Sequence, residues 1–249
     1  MNQNERNEYQ KTSYGDYRTI ERDNDLPMDQ EAGARVFVNR VYNWMFCGLI
    51  ITTLAAWGVT LNESTLRSVL NLFTPIAIAE IVLVIIISSM INRMSAATAG
   101  VLFIVYSALN GVTLGPIFLA YTQTSIYLAF GSCALMFAAT STFGYMTGMR
   151  LDTVGSYCFM GLVGIIIASI VNFFLHSAAL DYIISYAGIA IFVGLTAWDT
   201  QQVRMIGEAN GEEAQSDAMR KVAILFALKL YLDFINMFIY LLRIFGRRR

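Results

Sequence analysis

Charge is what this sequence has least of. Only 14% of its 249 residues are Asp, Glu, Lys or Arg, against roughly 25% in soluble domains. With 56% apolar residues the mean hydropathy reaches +0.54, so water is not the solvent for most of this surface. Histidine occurs once, as His176, and Cys47, Cys133 and Cys158 sit singly in apolar runs without CxxC spacing. A disulfide framework and a zinc site therefore lack support, and no resident cofactor is expected. Also missing are GxxxxGK[ST], a GxGxxG between strand and helix, and GxSxG. Nucleotide hydrolysis, dinucleotide binding and serine hydrolysis have no sequence support, an enzyme is not expected, and no nucleic-acid partner is implied.

What is present is apolar length. Windows of about 19 residues place transmembrane segments one to seven near 36–61, 73–91, 96–121, 126–148, 154–176, 181–203 and 222–245. The expected fold is an all-α integral membrane protein of seven helices whose partner is the lipid bilayer. Residues 1–34 hold eight acidic and four basic side chains and no apolar run, which reads as a disordered acidic tail ahead of a membrane domain at 35–249. The stretch has no basic, apolar and small-residue succession of a signal peptide. Residues 204–221, with Gly207, Asn210, Gly211, Glu212 and Glu213, read as a surface loop with a little helix before segment seven.

Orientation follows from the basic residues. With the N-terminus inside, the cytoplasmic side collects Arg35, Arg40, Arg93, Arg150, Arg204, Arg220 and Lys221, and the opposite loops carry only Arg67. Seven spans then send Arg247, Arg248 and Arg249 outside, against the same rule. Small residues four apart, Gly111 with Gly115, Gly144 with Gly148 and Gly164 with Ala168, predict close helix packing. Pro116 predicts a kink, and Trp44, Trp57 and Trp198 fit interfacial belts.

Ionisable groups at membrane depth carry the functional signal, because each costs several kcal/mol without a partner or water. Four qualify: Glu80, Asp199, Lys229 and Asp233. Lys229, Asp233, Asn236, Tyr240 and Arg243 follow one another at spacings of four, three, four and three, so they form one stripe of segment seven. A polar stripe predicts that segment seven is surrounded by the others and lines a polar or hydrated seam. At 1.5 Å per residue, Asp199 and Asp233 lie about 10 and 16 Å from the hydrocarbon edge. Two such carboxylates can share one proton, and their oxygens suit calcium if water or carbonyls complete the shell. Plainer readings stand beside this. Lys229 can pair with Asp233 along its own helix, Asp199 can cap a helix end, Glu80 can be a protonated, hydrogen-bonded glutamate, and Arg93 can be an interfacial anchor.

The strings GLTAWDTQ at 194–201 and LYLDFINMFIYLLRIFG at 230–246, with YSALNGVTLGPIF and VGIIIASIVNFFL upstream, resemble the Bax inhibitor-1 (transmembrane BAX inhibitor motif) family in its bacterial branch. The resemblance implies seven helices with the last one central, a bacterial inner membrane, a pH-dependent calcium leak, and an aspartate pair that senses protons, here Asp199 and Asp233. It also implies a segment-two arginine against the segment-six aspartate, where this chain has Ile91 with Arg93 two residues on. Lys229 stands where the pattern has a small polar residue. The expected cation path comprises Asp199, Asp233, Glu80, Asn236, Lys229 and Arg93, with Asp199 and Asp233 as calcium oxygens. Three competing classes remain, one of them substrate transport, for which the sequence shows no clear inverted repeat. A non-conducting protein that modulates a membrane-bound protease fits the family, whereas an intramembrane aspartyl protease would need glycines where Leu230, Tyr231 and Leu232 precede Asp233.

Overall fold

The computed structural model describes residues 28–210 and 213–246. Most of the acidic stretch and Arg247, Arg248 and Arg249 lie outside the described residues. Those described form eight α-helices: α1 Met28–Thr60, α2 Glu63–Asn71, α3 Phe73–Met90, α4 Ala96–Ala120, α5 Gln123–Met146, α6 Asp152–Leu175, α7 Ala178–Ala209 and α8 Asp217–Phe245. A 3-10 turn, Ile91–Arg93, ends α3. All but α2 are long and apolar enough to cross a membrane, and these are the seven expected segments in order.

Short polar residues set where the helices start. Asn62, Ser95, Thr122, Ser177 and Ser216 each accept a first-turn backbone N–H with the side chain, the usual service of an N-cap. His176 closes α6 in the left-handed region, at φ 52°. Two regions differ from the sequence reading. Residues 63–71 form a helix that buries Val69; nine residues are too few for a window sized to a bilayer. The stretch 204–221 is mostly helical, since α7 runs to Ala209 and α8 starts at Asp217. Hydropathy marks where the membrane ends, whereas the Arg204–Glu208 pair at 3.6 Å and the Ser216 cap continue the helices beyond it.

α8 is the core of the bundle. It packs against α1, α4, α5 and α7, and 67% of its most apolar stretch is buried, against 6% for α6. α6 makes sustained contact with α7 alone. Three side chains clasp backbone at one end: Arg204 Nη1 donates to the Tyr145 carbonyl at 2.6 Å, Gln201 Nε2 to the Met149 carbonyl at 2.7 Å, and Arg40 Nη1 to the Ala214 carbonyl at 2.6 Å. Arg40 and Arg204 thus hold backbone carbonyls at the end of the bundle where α7 passes into α8, whereas Arg243 pairs with Asp181 at the opposite end.

The small-residue pairs are only half used. A methyl on Gly144 would overlap the Ala197 carbonyl oxygen, one on Gly111 the Thr52 carbonyl oxygen, and one on Gly115 would press on Val59. Gly148 and Gly164 have open space around the same position, so spacing alone overestimated the contact. Pro116 lies inside α4, which continues to Ala120. Gly144→Ala is expected to cost about 1–3 kcal/mol by forcing α5 away from α7, read as a lower melting temperature in detergent. Gly131→Ala, on the same helix with nothing within 4 Å, should be neutral or slightly stabilising; equal effects of the two would refute the packing account.

Candidate functional site

α7 and α8 run antiparallel, and their facing residues meet as successive rungs. On the first rung Lys229 Nζ donates to Asp199 Oδ1 at 3.4 Å. One turn further in, Thr196 neighbours Asp233, its hydroxyl donating to its own helix at the Phe192 carbonyl, 2.8 Å. Phe192 and Tyr240 follow with ring centroids 6.0 Å apart, and Arg243 Nη1 reaches Asp181 Oδ1 at 3.2 Å near the far end. The level partner of Asp199 is therefore Lys229, and Asp233 sits one helical turn deeper. The sequence depths of about 10 and 16 Å already differ by about one turn; what they could not show is the register that sets Lys229 level with Asp199.

The expected ion pair within α8 is absent from this arrangement, since Lys229 turns across to α7. Its ammonium lies 4.6 Å from the Phe226 ring and 5.5 Å from the Trp198 ring, contacts that favour a cation. Asp199 is ten residues inside α7 and 5% exposed, which rules out the helix-end role. Asp233 is 4% exposed, and its Oδ2 is buried without a hydrogen-bond partner among the described residues. A buried charged oxygen in that condition is costly unless a proton or cation joins it.

Asp199, Lys229, Asp233, Asn236 and Tyr240 line one cavity of about 930 Å³ between α6, α7 and α8. The stripe read from spacing is thus gathered in space, apart from Arg243. The expectation was a polar or hydrated seam; the α8 side is polar, but α6 closes the cavity with Leu162, Ile166, Ile170 and similar side chains, Ser169 being the polar exception. Trp198 also lines it and stacks on the bare backbone of Gly155, wedged between α7 and the first turn of α6.

Glu80 and Arg93 are elsewhere. Glu80 accepts from Thr113 Oγ1 at 2.9 Å and Asn110 Nδ2 at 3.3 Å. Tyr231 Oη donates to Asn110 Oδ1 at 3.1 Å and meets Thr52 Oγ1 at 2.6 Å. This second network ties α1, α3 and α4 to the side of α8 away from the cavity, because Tyr231 is two residues from Asp233 and points oppositely. Arg93 is exposed on its 3-10 turn. Neither residue joins the aspartates, and Lys229 is the cation that faces Asp199.

Several polar residues escaped the sequence reading. Gln201 accepts from the Leu151 backbone N–H at 2.8 Å and donates to Met149, clasping the turn before α6. Asp152 Oδ1 accepts from Gln202 Nε2 at 3.1 Å and Trp198 Nε1 at 3.5 Å. Thr200 bonds to Ser141 Oγ at 3.1 Å, and Ser141 bonds closely to Tyr42. The available signal was the run of polar residues in WDTQQ, too dense for a lipid-facing helix.

Among the described residues no group of three or more His, Cys, Asp or Glu converges. The two carboxylates and Asn236 present oxygens of the kind that bind cations, and Lys229 already holds the Asp199 side of the cavity.

Comparison with known proteins agrees with the string resemblance. A family profile described as inhibitor of apoptosis-promoting Bax1 matches residues 34–249. The inner membrane protein YbhL of Escherichia coli (strain K12) is 43% identical over 228 residues, covering 90% of this chain and 97% of that protein. An uncharacterised protein of Borreliella burgdorferi is 42% identical, covering 86% and 92%, and an uncharacterised membrane protein of Streptococcus pyogenes is 34% identical, covering 87% and 95%. With its seven apolar helices and a profile match over nearly its whole length, this chain belongs to the Bax inhibitor-1 family of membrane proteins.

Proposed function

We propose that the protein is a pH-sensitive leak for calcium or other cations in a bacterial inner membrane, controlled by a proton shared between Asp199 and Asp233. The observation that carries this reading is the pairing of two buried carboxylates on adjacent rungs of one cavity, with a buried oxygen of Asp233 left without a partner. Such an oxygen is stabilised by either a proton or a cation, and each competes with the other. Lys229 already partners Asp199, so the unpartnered oxygen that draws the proton or cation into the pair is on Asp233. The name of the YbhL relative supports the inner membrane. The test is flux: purified protein in calcium-indicator vesicles should pass calcium above protein-free vesicles, with a rate that changes with pH. A non-conducting modulator of a membrane-bound protease is the competing reading, favoured by the apolar wall that α6 puts across the cavity. Flux equal to protein-free vesicles would select it.

Arg40 and Arg204 at the end where α7 passes into α8, together with the excess of basic residues that the sequence assigns to that side, support an N-terminus in the cytoplasm. A reporter inserted between α7 and α8 should then behave as cytoplasmic and one after Arg249 as periplasmic. A cytoplasmic reporter at the C-terminus would overturn this orientation.

A further inference from the structure

The cavity pairs a charged floor with a greasy wall. Of its eight lining residues from α6, seven are apolar, and they run from Phe159 to Phe174, about 22 Å of helix at 1.5 Å per residue. Phe159, Ile166 and Phe173 are also exposed on the outside of the bundle, at 60%, 52% and 72%, so the wall is continuous with the surface that meets lipid tails. The volume of about 930 Å³ lies within the range of about 300–1,000 Å³ typical of small-molecule sites. A hydrated inorganic cation would contact the floor and leave this wall unused.

The floor specifies the head of the ligand. Lys229 is committed to Asp199 at 3.4 Å. Asp233 Oδ2 is buried and lacks a donor. Asn236 gives its amide nitrogen to the Leu232 carbonyl at 2.8 Å, which leaves its oxygen as acceptor. One turn apart on α8, these two residues ask for a group with a positive charge and several N–H donors.

We infer that the α6/α7/α8 cavity binds a single-chain amphiphilic amine, whose ammonium is held by Asp233 and Asn236 while its alkyl chain lies along Leu162, Ile166 and Ile170. A carboxylate amphiphile would face Asp233 with like charge, and an alcohol would supply one donor and no charge. Entry is from the lipid side, past the exposed face of α6. The inference concerns occupancy of the cavity and stands whether or not the protein conducts cations.

The probe is dodecylamine, compared with dodecanol and laurate, added to the purified full chain in uncharged detergent, with melting temperature as readout. A ligand that binds only the folded state raises that temperature. Dodecylamine should raise it by several degrees, and dodecanol and laurate should not. Asp233→Asn and Ile166→Trp, which remove the charge and fill the wall respectively, should each abolish the rise, whereas Glu63→Gln, on exposed α2 beside Arg67, should retain it. Equal shifts from the three amphiphiles, or an undiminished amine shift in either folded Asp233→Asn or folded Ile166→Trp, would overturn the assignment. A normal pH response of flux with no amine effect would sink this inference alone, and an amine effect without flux would sink the leak alone.

Discussion

Asp233→Asn is expected to flatten the pH profile of cation flux while leaving the bundle folded. The substitution keeps the size and the contacts with Thr196 but removes the buried negative charge that a proton or cation must neutralise. With nothing left to titrate on the deeper rung, flux at mildly acidic and mildly alkaline pH should become nearly equal. Asp199→Asn should flatten the profile as well, because the shared proton needs both carboxylates, although Lys229 can still donate to the asparagine oxygen. Groups that act as one unit are not additive. The double variant should therefore change the profile little beyond either single one, a result that independent sites would not produce. Wild-type pH dependence in both single variants would falsify the shared-proton mechanism and leave Asp199 and Asp233 as structural partners of Lys229 and Thr196.

The second large effect is expected from Lys229→Ser. The ammonium lies 3.4 Å from Asp199 and lines the same cavity as Asp233, so a cation moving along the rungs must pass it. At about 6 Å and an effective dielectric of about 20, a unit charge repels another by about 3 kcal/mol. With the lysine side chain 39% exposed, solvent screens part of this repulsion, and an increase of about tenfold in flux at neutral pH is the expected outcome, the remainder of the roughly hundredfold ceiling being lost to screening. Removing the lysine also leaves Asp199 buried without its counter-ion, which lowers stability. Lys229→Arg separates the two consequences. It restores the ion pair and should return both the melting temperature and the low neutral flux. Neutral flux that stays at or below wild type in a folded Lys229→Ser protein would remove the electrostatic barrier from the account.

Membrane residence, the number of spans and the polar stripe on the last helix were all legible in the chain itself. Each depends on periodicities and lengths that a bilayer imposes locally: about twenty apolar residues to cross it, and a 3.6-residue repeat to align Lys229, Asp233, Asn236 and Tyr240. The central position of α8 followed from the same stripe, since a polar face must be covered by protein. The strings around Asp199 and Asp233 likewise carried the family.

Only the tertiary structure decided which side chains meet. Register between α7 and α8 pairs Asp199 with Lys229 and sets Asp233 beside Thr196, and no residue spacing within one helix contains the offset of another. The same holds for Glu80, which reaches across to Thr113 and Asn110 and is tied through Tyr231 to the far side of α8. It holds too for the small residues, where Gly144 touches a neighbouring backbone and Gly148 touches nothing. A sequence determines what each helix carries on each face, because that is set by bonds along the chain. Which faces are turned toward one another, and that an apolar α6 closes a charged floor, results from packing eight helices at once.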